Sequence, residues 1–390
     1  MRRFTLTLLT LALSPLVLAA PAYADMSAFD VTGTQGSSLT ATPLAEFDAA
    51  WAMTFLPDGR ALVTEKTGEL WLINKDGSKA GKISGVPKVT ARGQGGLGDI
   101  IVHPDFASNG TVFISYVERD AKKNRLSGAV VERAKLTLGA TTGKLTKLER
   151  IWTQSPKVRG NGHYGHRLVI APDGHLFISS GERQKFTPSQ NMDMNLGKSI
   201  RINQDGSAPD DNPFYTGDGS VTDQIWTLGH RNPLGIAFDS KGRLWMQEMG
   251  PRDGDELNHI IRSENYGYPE VSEGKHYSGV DIPDHADIPI YEAPKVAWVP
   301  AISPGGLMFY SGDEFNDWKG NAFIGGLSSQ ALIRIEFQEP KAGSRKGVTA
   351  NEAERYEWES RIREVEQGPD GAIFVLEDGD EGRLIKLTTK

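Results

Sequence analysis

The sequence predicts an all-β protein, and more narrowly a six-bladed β-propeller. Two observations carry this prediction. A strand–turn–strand pattern recurs six times along the chain. The copies are roughly 50 to 70 residues apart, which is typical of propeller blades with long loops and too wide for a simple solenoid. A β-sandwich, or a two-domain β protein with ordinary hairpins, is the alternative.

Each copy combines short apolar runs with turn residues, the pattern of a β-hairpin. In the third copy the turn is Pro172-Asp173-Gly174, where proline presets φ and glycine tolerates a positive φ. The first copy contains two such turns and therefore predicts three antiparallel strands. In chain order the six copies span residues 51–73, 100–116, 168–182, 235–248, 306–327 and 365–387.

The N-terminal end has the pattern of an export signal. Arg2 and Arg3 precede an apolar run, and Ala22-Tyr23-Ala24 forms a small-x-small cleavage site, so residues 1–24 are predicted as a signal peptide. The apolar run is shorter than the roughly 20 residues that a membrane-spanning helix needs. We therefore expect a periplasmic protein without a membrane span. Residues 25–42 are predicted as a flexible lead-in and 43–390 as a single domain.

The composition excludes several classes of function. The chain has 43 basic and 50 acidic residues, a formal net charge of −7, which becomes −9 when the two arginines of the signal are removed. A mildly acidic surface disfavours nucleic acid and anionic membranes as partners. The chain has no cysteine, which excludes disulfides, thiolate metal sites and cysteine nucleophiles.

Five polar, glycine-flanked or charged stretches fall at equivalent places relative to the repeats, at residues 92–99, 160–167, 228–235, 248–256 and 359–364. Equivalent places in a propeller lie on one rim of the central channel, so we expect these stretches to converge. His163 is a candidate general base, because an imidazole is half-ionised near neutral pH. Arg231 could stabilise negative charge that develops on an oxygen, and the pair Arg361 and Arg363 could bind carboxylates. The alternative for the histidine is a structural role, and for the arginines a salt bridge.

The fourth of these stretches contains the text GPRDGDE, in which Asp253, Asp255 and Glu256 lie near a proline turn. Several carboxylates in one turn suggest a hard cation bound by oxygens. The stretch lacks a strict calcium-loop pattern, and turn formation alone is the alternative explanation for these acids.

Taken together, the stretches resemble the soluble quinoprotein aldose sugar dehydrogenases. The motifs that carry the resemblance run in the family's order over essentially the whole mature chain: GQGGLGDIIVHPDF, GHYGHRLVIAPDG, LGKSIRINQDG, GHRNPLGIAFD, GPRDGDELNHI, NYGYP and RIREVEQGPDG. The resemblance implies a periplasmic six-bladed propeller that binds pyrroloquinoline quinone (PQQ) and Ca²⁺. It also implies oxidation of an aldose sugar to its lactone, with electrons passed to an external acceptor.

The resemblance further implies roles for single residues in catalysis. His163 matches the family's catalytic base, which removes the proton of the sugar's anomeric hydroxyl. Gln94 matches a glutamine beside the cofactor and substrate. Arg231 and Asn232 match the pair that flanks the quinone oxygens.

Four more residues match cofactor-binding positions of the family. Gly250 and Pro251 match the positions whose backbone carbonyls hold the catalytic calcium, so the nearby aspartates need not be ligands. Arg361 and Arg363 match the arginines that face the cofactor's carboxylates.

The chain departs from the family pattern at three places. Ser328 stands where the family usually has a lysine that pairs with the cofactor, and His166 replaces a glycine near the base. Met249 replaces a polar residue at the metal loop. Two other functions are open: a propeller without cofactor that binds carbohydrate or protein, and a calcium-dependent lactonase.

Overall fold

The computed structural model describes residues 26–341 and 347–390, and most of its regular structure is β-strand. The prediction of an all-β chain is therefore confirmed. Helical structure within these ranges is limited to one short α-helix, α1 (Phe106–Asn109), and the 3-10 turns Thr187–Gln190, Val221–Gln224 and Asn316–Trp318. No helix of the described chain has the length and apolar character needed to cross a membrane. The predicted signal at residues 1–24 lies outside the described residues.

Two strands at the N-terminus are followed by five groups of four strands and a last group of three, and successive strands within each group pair antiparallel. The N-terminal strands are β1 (Phe29–Thr32) and β2 (Ser38–Phe47). The first two groups are β3 (Ala50–Phe55), β4 (Ala61–Glu65), β5 (Glu69–Ile73) and β6 (Lys79–Ser84), then β7 (Leu97–Val102), β8 (Thr111–Arg119), β9 (Ser127–Leu138) and β10 (Gly143–Thr153). A short parallel pairing of β6 with β10 joins these two groups into one eight-stranded sheet.

Three further groups form separate four-stranded sheets. They are β11 (Gly165–Ile170), β12 (Leu176–Ser180), β13 (Lys198–Ile202) and β14 (Ile225–Leu228); β15 (Pro233–Phe238), β16 (Leu244–Glu248), β17 (Asp255–Ile260) and β18 (Val296–Trp298); and β19 (Pro304–Phe309), β20 (Ala322–Gly326), β21 (Ala331–Gln338) and β22 (Thr349–Glu357). The chain ends with β23 (Ile362–Gln367), β24 (Ile373–Glu377) and β25 (Gly382–Thr389).

The last sheet is completed by the N-terminal strands. β2 pairs antiparallel with β25 from Leu39↔Thr389 to Phe47↔Gly382, and β1 pairs with the outer side of β2. The sequence suggested a flexible lead-in up to residue 42, but residues 29–32 and 38–47 are strands. The reason is burial: every second residue of β2 is buried, so the strand contributes one apolar face to the core.

The sheets form a closed ring. The first strands of the groups contact one another in cyclic order, β3 to β7, β11, β15, β19 and β23, and β23 returns to contact β3. Apolar side chains fill the space between neighbouring sheets: Val131 and Ile178 share one cluster, and Leu376 and Val63 share another. Burial on both faces explains why the inner strands are nearly continuous apolar runs.

The first hairpin of every group carries a β-bulge near the same end. The register shifts by one residue in each, between Ala50/Ala52, Leu97/Ile100, Gly165/Leu168, Pro233/Gly235, Pro304/Leu307 and Ile362/Glu364. The pairs Gly165↔Ser180 and Ile362↔Glu377 show that the start of the first strand lies beside the end of the second. Residues before the first strand and after the second therefore meet at one rim of the ring.

Candidate active site

A cavity of about 370 Å³ opens at this rim, and we call it the axial cavity. It is lined by four of the predicted catalytic and cofactor-binding residues: Gln94, Asn232, Arg361 and Arg363. Its remaining lining is Ala49, Ala50, Trp51, Lys66, Gly93, Tyr164, Gly165, His166, Leu234, Met249, Leu327, Asp378, Gly379 and Asp380.

The β-bulges supply part of the lining of the axial cavity. Trp51, Leu234 and Arg363 are the extra residues of three bulges, each standing between two paired neighbours without a partner of its own. All three line the cavity. A bulge turns its extra side chain away from the regular alternation of a strand, and here the bulges turn side chains toward the ring axis.

A second cavity of about 320 Å³ contains three other predicted residues, His163, Arg231 and Pro251, and we call it the histidine cavity. Its other lining residues are Glu182, Gln184, Phe186, Tyr268, His276, Tyr277 and Ser278. The backbone N–H of His163 donates to Gln94 Oε1 at 2.6 Å, and Arg231 is followed directly by Asn232. Lining residues of the two cavities are thus connected twice, by the hydrogen bond from His163 to Gln94 and by the peptide bond from Arg231 to Asn232. Gly250 lines neither cavity, but its carbonyl contacts Arg231.

The backbone of His163 is held in an unusual conformation. Its φ is +49°, in the left-handed region that a non-glycine residue rarely adopts. Its N–H bonds to Gln94, and its carbonyl accepts the N–H of Arg183 at 3.1 Å. Strained residues of this kind persist where surrounding contacts fix them, and they concentrate at functional sites.

The ring of His163 is fixed by a buried carboxylate. Nδ1 is hydrogen-bonded to Glu182 Oε1, and the other oxygen of Glu182 accepts the N–H groups of Phe186, at 2.8 Å, and of Lys185. Because both carboxylate oxygens act as acceptors, Nδ1 carries the proton and Nε2 keeps its lone pair. The geometry therefore presents an imidazole nitrogen that can accept a proton.

The environment keeps the imidazole neutral. Burial is the largest influence and lowers the pKa of His163; the bond to Glu182 opposes this, while the charges of Arg231 and Arg183 reinforce it. Burial acts to raise the pKa of Glu182, but the bond to His163 and the two backbone N–H donors outweigh burial and lower it. The pair consists of a neutral base and an ionised carboxylate.

Arg231 connects the histidine cavity to the loop after β16. Its Nη1 donates to the carbonyl of Met249 at 2.9 Å and to the carbonyl of Gly250, and its backbone N–H donates to Glu248 at 2.5 Å. Two buried polar atoms here have no hydrogen-bond partner among the described residues, Arg231 Nε and Asn232 Oδ1. Buried polar atoms are normally paired, so these two point to a ligand that completes the site.

Two acidic residues of the GPRDGDE stretch, Asp253 and Asp255, accept backbone N–H groups, whereas Glu256 accepts from the side chain of Asn258. Asp255 accepts the N–H of Gly250 at 2.8 Å, that of Ile302 at 2.8 Å and that of Ser303 at 2.6 Å. Among residues 26–341 and 347–390, no group of three or more histidine or acidic side chains is arranged to hold a metal ion. Asp255 therefore shapes the loop that presents the carbonyls of Gly250 and Pro251.

Arg361 and Arg363 are bound by one carboxylate. Asp378 Oδ2 accepts from Arg361 Nε at 2.7 Å, and Oδ1 accepts from Arg363 Nε at 3.0 Å and Nη2 at 2.8 Å. Burial acts to raise the pKa of Asp378, but the two guanidinium groups outweigh it and lower the pKa. The structure thus shows the salt bridge that the sequence left open as an alternative, and both arginines also line the axial cavity.

His166 lies against the axial cavity and apart from the histidine cavity. Its ring stacks on Trp51 at a centroid distance of 4.9 Å, and Nδ1 lies 2.8 Å from the hydroxyl of Ser115. Burial, helped by the charges of Arg167 and Arg183, lowers the pKa of His166 to about 3, so the ring is neutral. A Cβ on Gly98 would lie 2.0 Å from His166 Cε1, which explains the glycine there.

Among the charged residues of the site that were not predicted from the sequence are Glu182, Lys66 and Asp378. Each follows the second strand of its group, whereas most of the predicted residues precede the first strand. The antiparallel pairing of these two strands was the signal that could have found them.

Comparison with known proteins places the chain in a family. The family model "Glucose / Sorbosone dehydrogenase" matches residues 47–386. The chain belongs to this family. It is 35% identical over 353 residues to the aldose sugar dehydrogenase YliI of Escherichia coli (strain K12), covering 88% of this chain and 91% of the relative. It is 29% identical over 330 residues to quinoprotein glucose dehydrogenase B of Acinetobacter calcoaceticus, covering 77% of this chain and 66% of the relative.

Solved structures agree with the glucose/sorbosone dehydrogenase assignment. The apo-form of the soluble aldose sugar dehydrogenase from Escherichia coli matches with a TM-score of 0.81 and 34% identity, covering 90% of this chain and 100% of that one. The PQQ-bound form of aldose sugar dehydrogenase from Streptomyces coelicolor matches with a TM-score of 0.69 and 26% identity, covering 89% and 96%. Family membership supports an oxidoreductase.

Proposed function

We propose that this chain is an exported aldose sugar dehydrogenase that depends on PQQ and Ca²⁺, oxidises the anomeric carbon of the sugar to the lactone and passes electrons to an external acceptor. One observation carries the proposal: the His163–Glu182 pair lies beside a cavity that contains an unpartnered amide oxygen and two guanidinium groups. The names of the Escherichia coli and Acinetobacter relatives support the sugar substrate and the quinone.

We infer that each group of four strands is one blade of a six-bladed propeller. The first five blades are β3–β6, β7–β10, β11–β14, β15–β18 and β19–β22, and the sixth is β23–β25 closed by β2. The cyclic contacts of the first strands support this count.

The residues of the axial cavity suit a planar, anionic cofactor such as PQQ. Arg361 and Arg363 supply positive charge for its carboxylates, and Gln94 and Asn232 supply amide groups. The unpartnered Oδ1 of Asn232 is an atom that such a ligand can satisfy. When bound, PQQ supplies the redox chemistry by accepting a hydride from the sugar.

The histidine cavity suits the sugar. Phe186, Tyr268 and Tyr277 line it with aromatic surface, and His163 lies among them. His163 takes the proton of the anomeric hydroxyl at Nε2, since Nδ1 is occupied by Glu182. The ionised carboxylate of Glu182 then stabilises the imidazolium, which is the role of the third group in a catalytic triad.

The carbonyls of Gly250 and Pro251 are the proposed calcium ligands. The carbonyl oxygen of Gly250 already accepts from Arg231, which places a positive charge beside the proposed metal position. We therefore expect Ca²⁺ to bind together with the anionic cofactor, because the cofactor's negative charge offsets the repulsion between the guanidinium and the metal. When bound, Ca²⁺ supplies Lewis-acid polarisation of the quinone.

The proposal is tested by mixing purified apoprotein with PQQ, Ca²⁺ and a dye acceptor, then adding glucose and a panel of other aldoses. Dye reduction that needs PQQ, Ca²⁺ and sugar supports the dehydrogenase. His163→Ala is the matched control, which should bind PQQ and lose turnover by about two to four orders of magnitude. Hydrolysis of a lactone without quinone selects the lactonase instead, and sugar binding without either reaction selects the binding module.

A further inference from the structure

Three cationic side chains line the axial cavity, and one of them has no anionic partner. Arg361 and Arg363 share Asp378. The third cation, Lys66, is half-buried, and no hydrogen bond or ion pair engages its ammonium group within residues 26–341 and 347–390. A lysine that lines a cavity and has no ion-pair partner is available to bind an anionic ligand.

The aliphatic part of the Lys66 side chain packs beside the backbone of Gly96 and Leu97. The Lys66 carbonyl accepts the N–H of Leu97 at 3.0 Å. Gly96 has a φ of +142°, and a Cβ there would lie 2.2 Å from Lys66 O and 2.6 Å from Lys66 Cγ. Any side chain at position 96 would push Lys66 away, so the glycine of the GQGGLGD motif makes room for the lysine.

The position that carries the family lysine is not engaged in the cavity. Ser328 is exposed, its hydroxyl lies 3.3 Å from the carbonyl of Ala301, and only its neighbour Leu327 lines the cavity. The charge expected from position 328 is therefore missing from the lining, while Lys66 supplies a charge from another blade.

We propose that Lys66 binds a carboxylate of the cofactor and replaces the absent lysine at position 328. The proposal rests on the proposed function, since it assigns a ligand group to a residue of the same cavity. It follows from charge: Asp378 is already engaged by the arginine pair, whereas the ammonium group of Lys66 forms no ion pair with a described residue. A polycarboxylate in the cavity gains most from a cation that is not already paired.

The test measures PQQ affinity directly, by absorbance titration of the apoprotein in the presence of Ca²⁺. Lys66→Met should raise the dissociation constant for PQQ by about 10- to 100-fold, the range expected for the loss of one hydrogen bond to a charged group. Lys66→Arg should stay close to wild type because it keeps the charge. Lys75→Met is the matched control, since Lys75 is exposed in a turn of the same blade and does not line the axial cavity.

A second ligand separates charge recognition from a general defect. The trimethyl ester of PQQ has the same ring system without ionised carboxylates. Wild type and Lys66→Met should bind the ester equally, because the interaction that the variant removes is absent from the ester. Equal weakening for both ligands would overturn the proposal, since it would indicate a distorted cavity.

A rescue experiment tests the replacement of position 328. Adding Ser328→Lys to Lys66→Met should recover most of the lost PQQ affinity, and failure to recover any of it would overturn this part of the proposal. If wild type itself does not bind PQQ, the proposed function fails. If wild type binds PQQ and Lys66→Met binds it equally well, only the role of Lys66 fails.

Discussion

The carboxylate of Glu182 holds Nδ1 of His163 while its second oxygen is occupied by the backbone N–H groups of Lys185 and Phe186. Neither oxygen of Glu182 is exposed, and the carboxylate has no freedom to turn away. Glu182 is therefore a positioning residue that determines which nitrogen of His163 is free.

Glu182→Gln should abolish most turnover while preserving PQQ binding. The glutamine amide has one oxygen, and we expect that oxygen to accept the two backbone N–H groups. Its NH₂ group then faces Nδ1 of His163 as a donor, so the ring carries its proton on Nε2 instead of Nδ1. A protonated Nε2 cannot act as a base, and we expect kcat to fall by about two to four orders of magnitude. Steady-state kinetics and PQQ titration of the same preparation check this. Turnover near the wild-type level would remove Glu182 from the mechanism.

The acidic limb of the pH profile should lie below the ordinary range of histidine. Burial lowers the pKa of His163, so the ring stays neutral, and able to accept a proton, at pH values below about 6.5. We expect kcat/KM with dye acceptor to fall only on further acidification. An acidic limb at or above pH 7 would show that another group titrates, or that the surroundings of the His163 ring are more polar than the structure indicates.

His166→Gly restores the family residue and separates packing from catalysis. The glycine accepts the positive φ of this position, which is +65°, but it loses the stacking on Trp51 and the contact with Ser115. We expect a loss of about 1 to 3 kcal/mol in the free energy of unfolding, measured with denaturant. Turnover per folded molecule should stay within an order of magnitude. Loss of turnover without loss of stability would instead place His166 in the reaction.

Lys198 predicts a pH-dependent contribution to stability. This fully buried lysine donates to the carbonyls of Pro188, Ser189 and Leu196, and burial lowers its pKa to about 7. In the unfolded chain its pKa is about 10.4, so between these values unfolding takes up a proton and the wild type gains stability as pH rises.

Lys198→Met removes this proton uptake. The stability advantage of wild type over the variant should therefore grow between pH 7 and pH 9.5, with a slope of at most about 1.4 kcal/mol per pH unit. Denaturant unfolding of both proteins at the two pH values measures it. An advantage that is the same at both values would mean that Lys198 keeps its proton throughout this range.

The local sequence pattern was sufficient to predict the first hairpin of most groups of strands, but not the outer strands of the ring. The third copy was predicted at residues 168–182, and β11 and β12 span residues 165–180. Strand β10 escaped the prediction because it is largely polar and exposed. Strand β2 escaped it because its partner β25 lies at the other end of the chain, and no local pattern reports so distant a pairing.

The candidate site shows the same division. His163 could be predicted from the residues around it in the sequence. Its partner on the neighbouring strand could not be found by counting equal numbers of residues on either side of the turn at 172–174. A regular hairpin would have placed Arg183 opposite His163; the bulge between Gly165 and Leu168 shifts the register by one and brings Glu182 there instead. Arg363 illustrates the point again, because period-two alternation cannot describe the extra residue of a bulge.

The pairing of β2 with β25 makes closure of the ring depend on the last strand of the chain. One edge of β2 is paired by β1, and its other edge is paired only by residues 382–389, more than 300 residues later in the chain. The arginine pair and Asp378 belong to that same final sheet. One segment, residues 361–389, therefore completes both the ring and the cationic side of the axial cavity, so neither can form before the other.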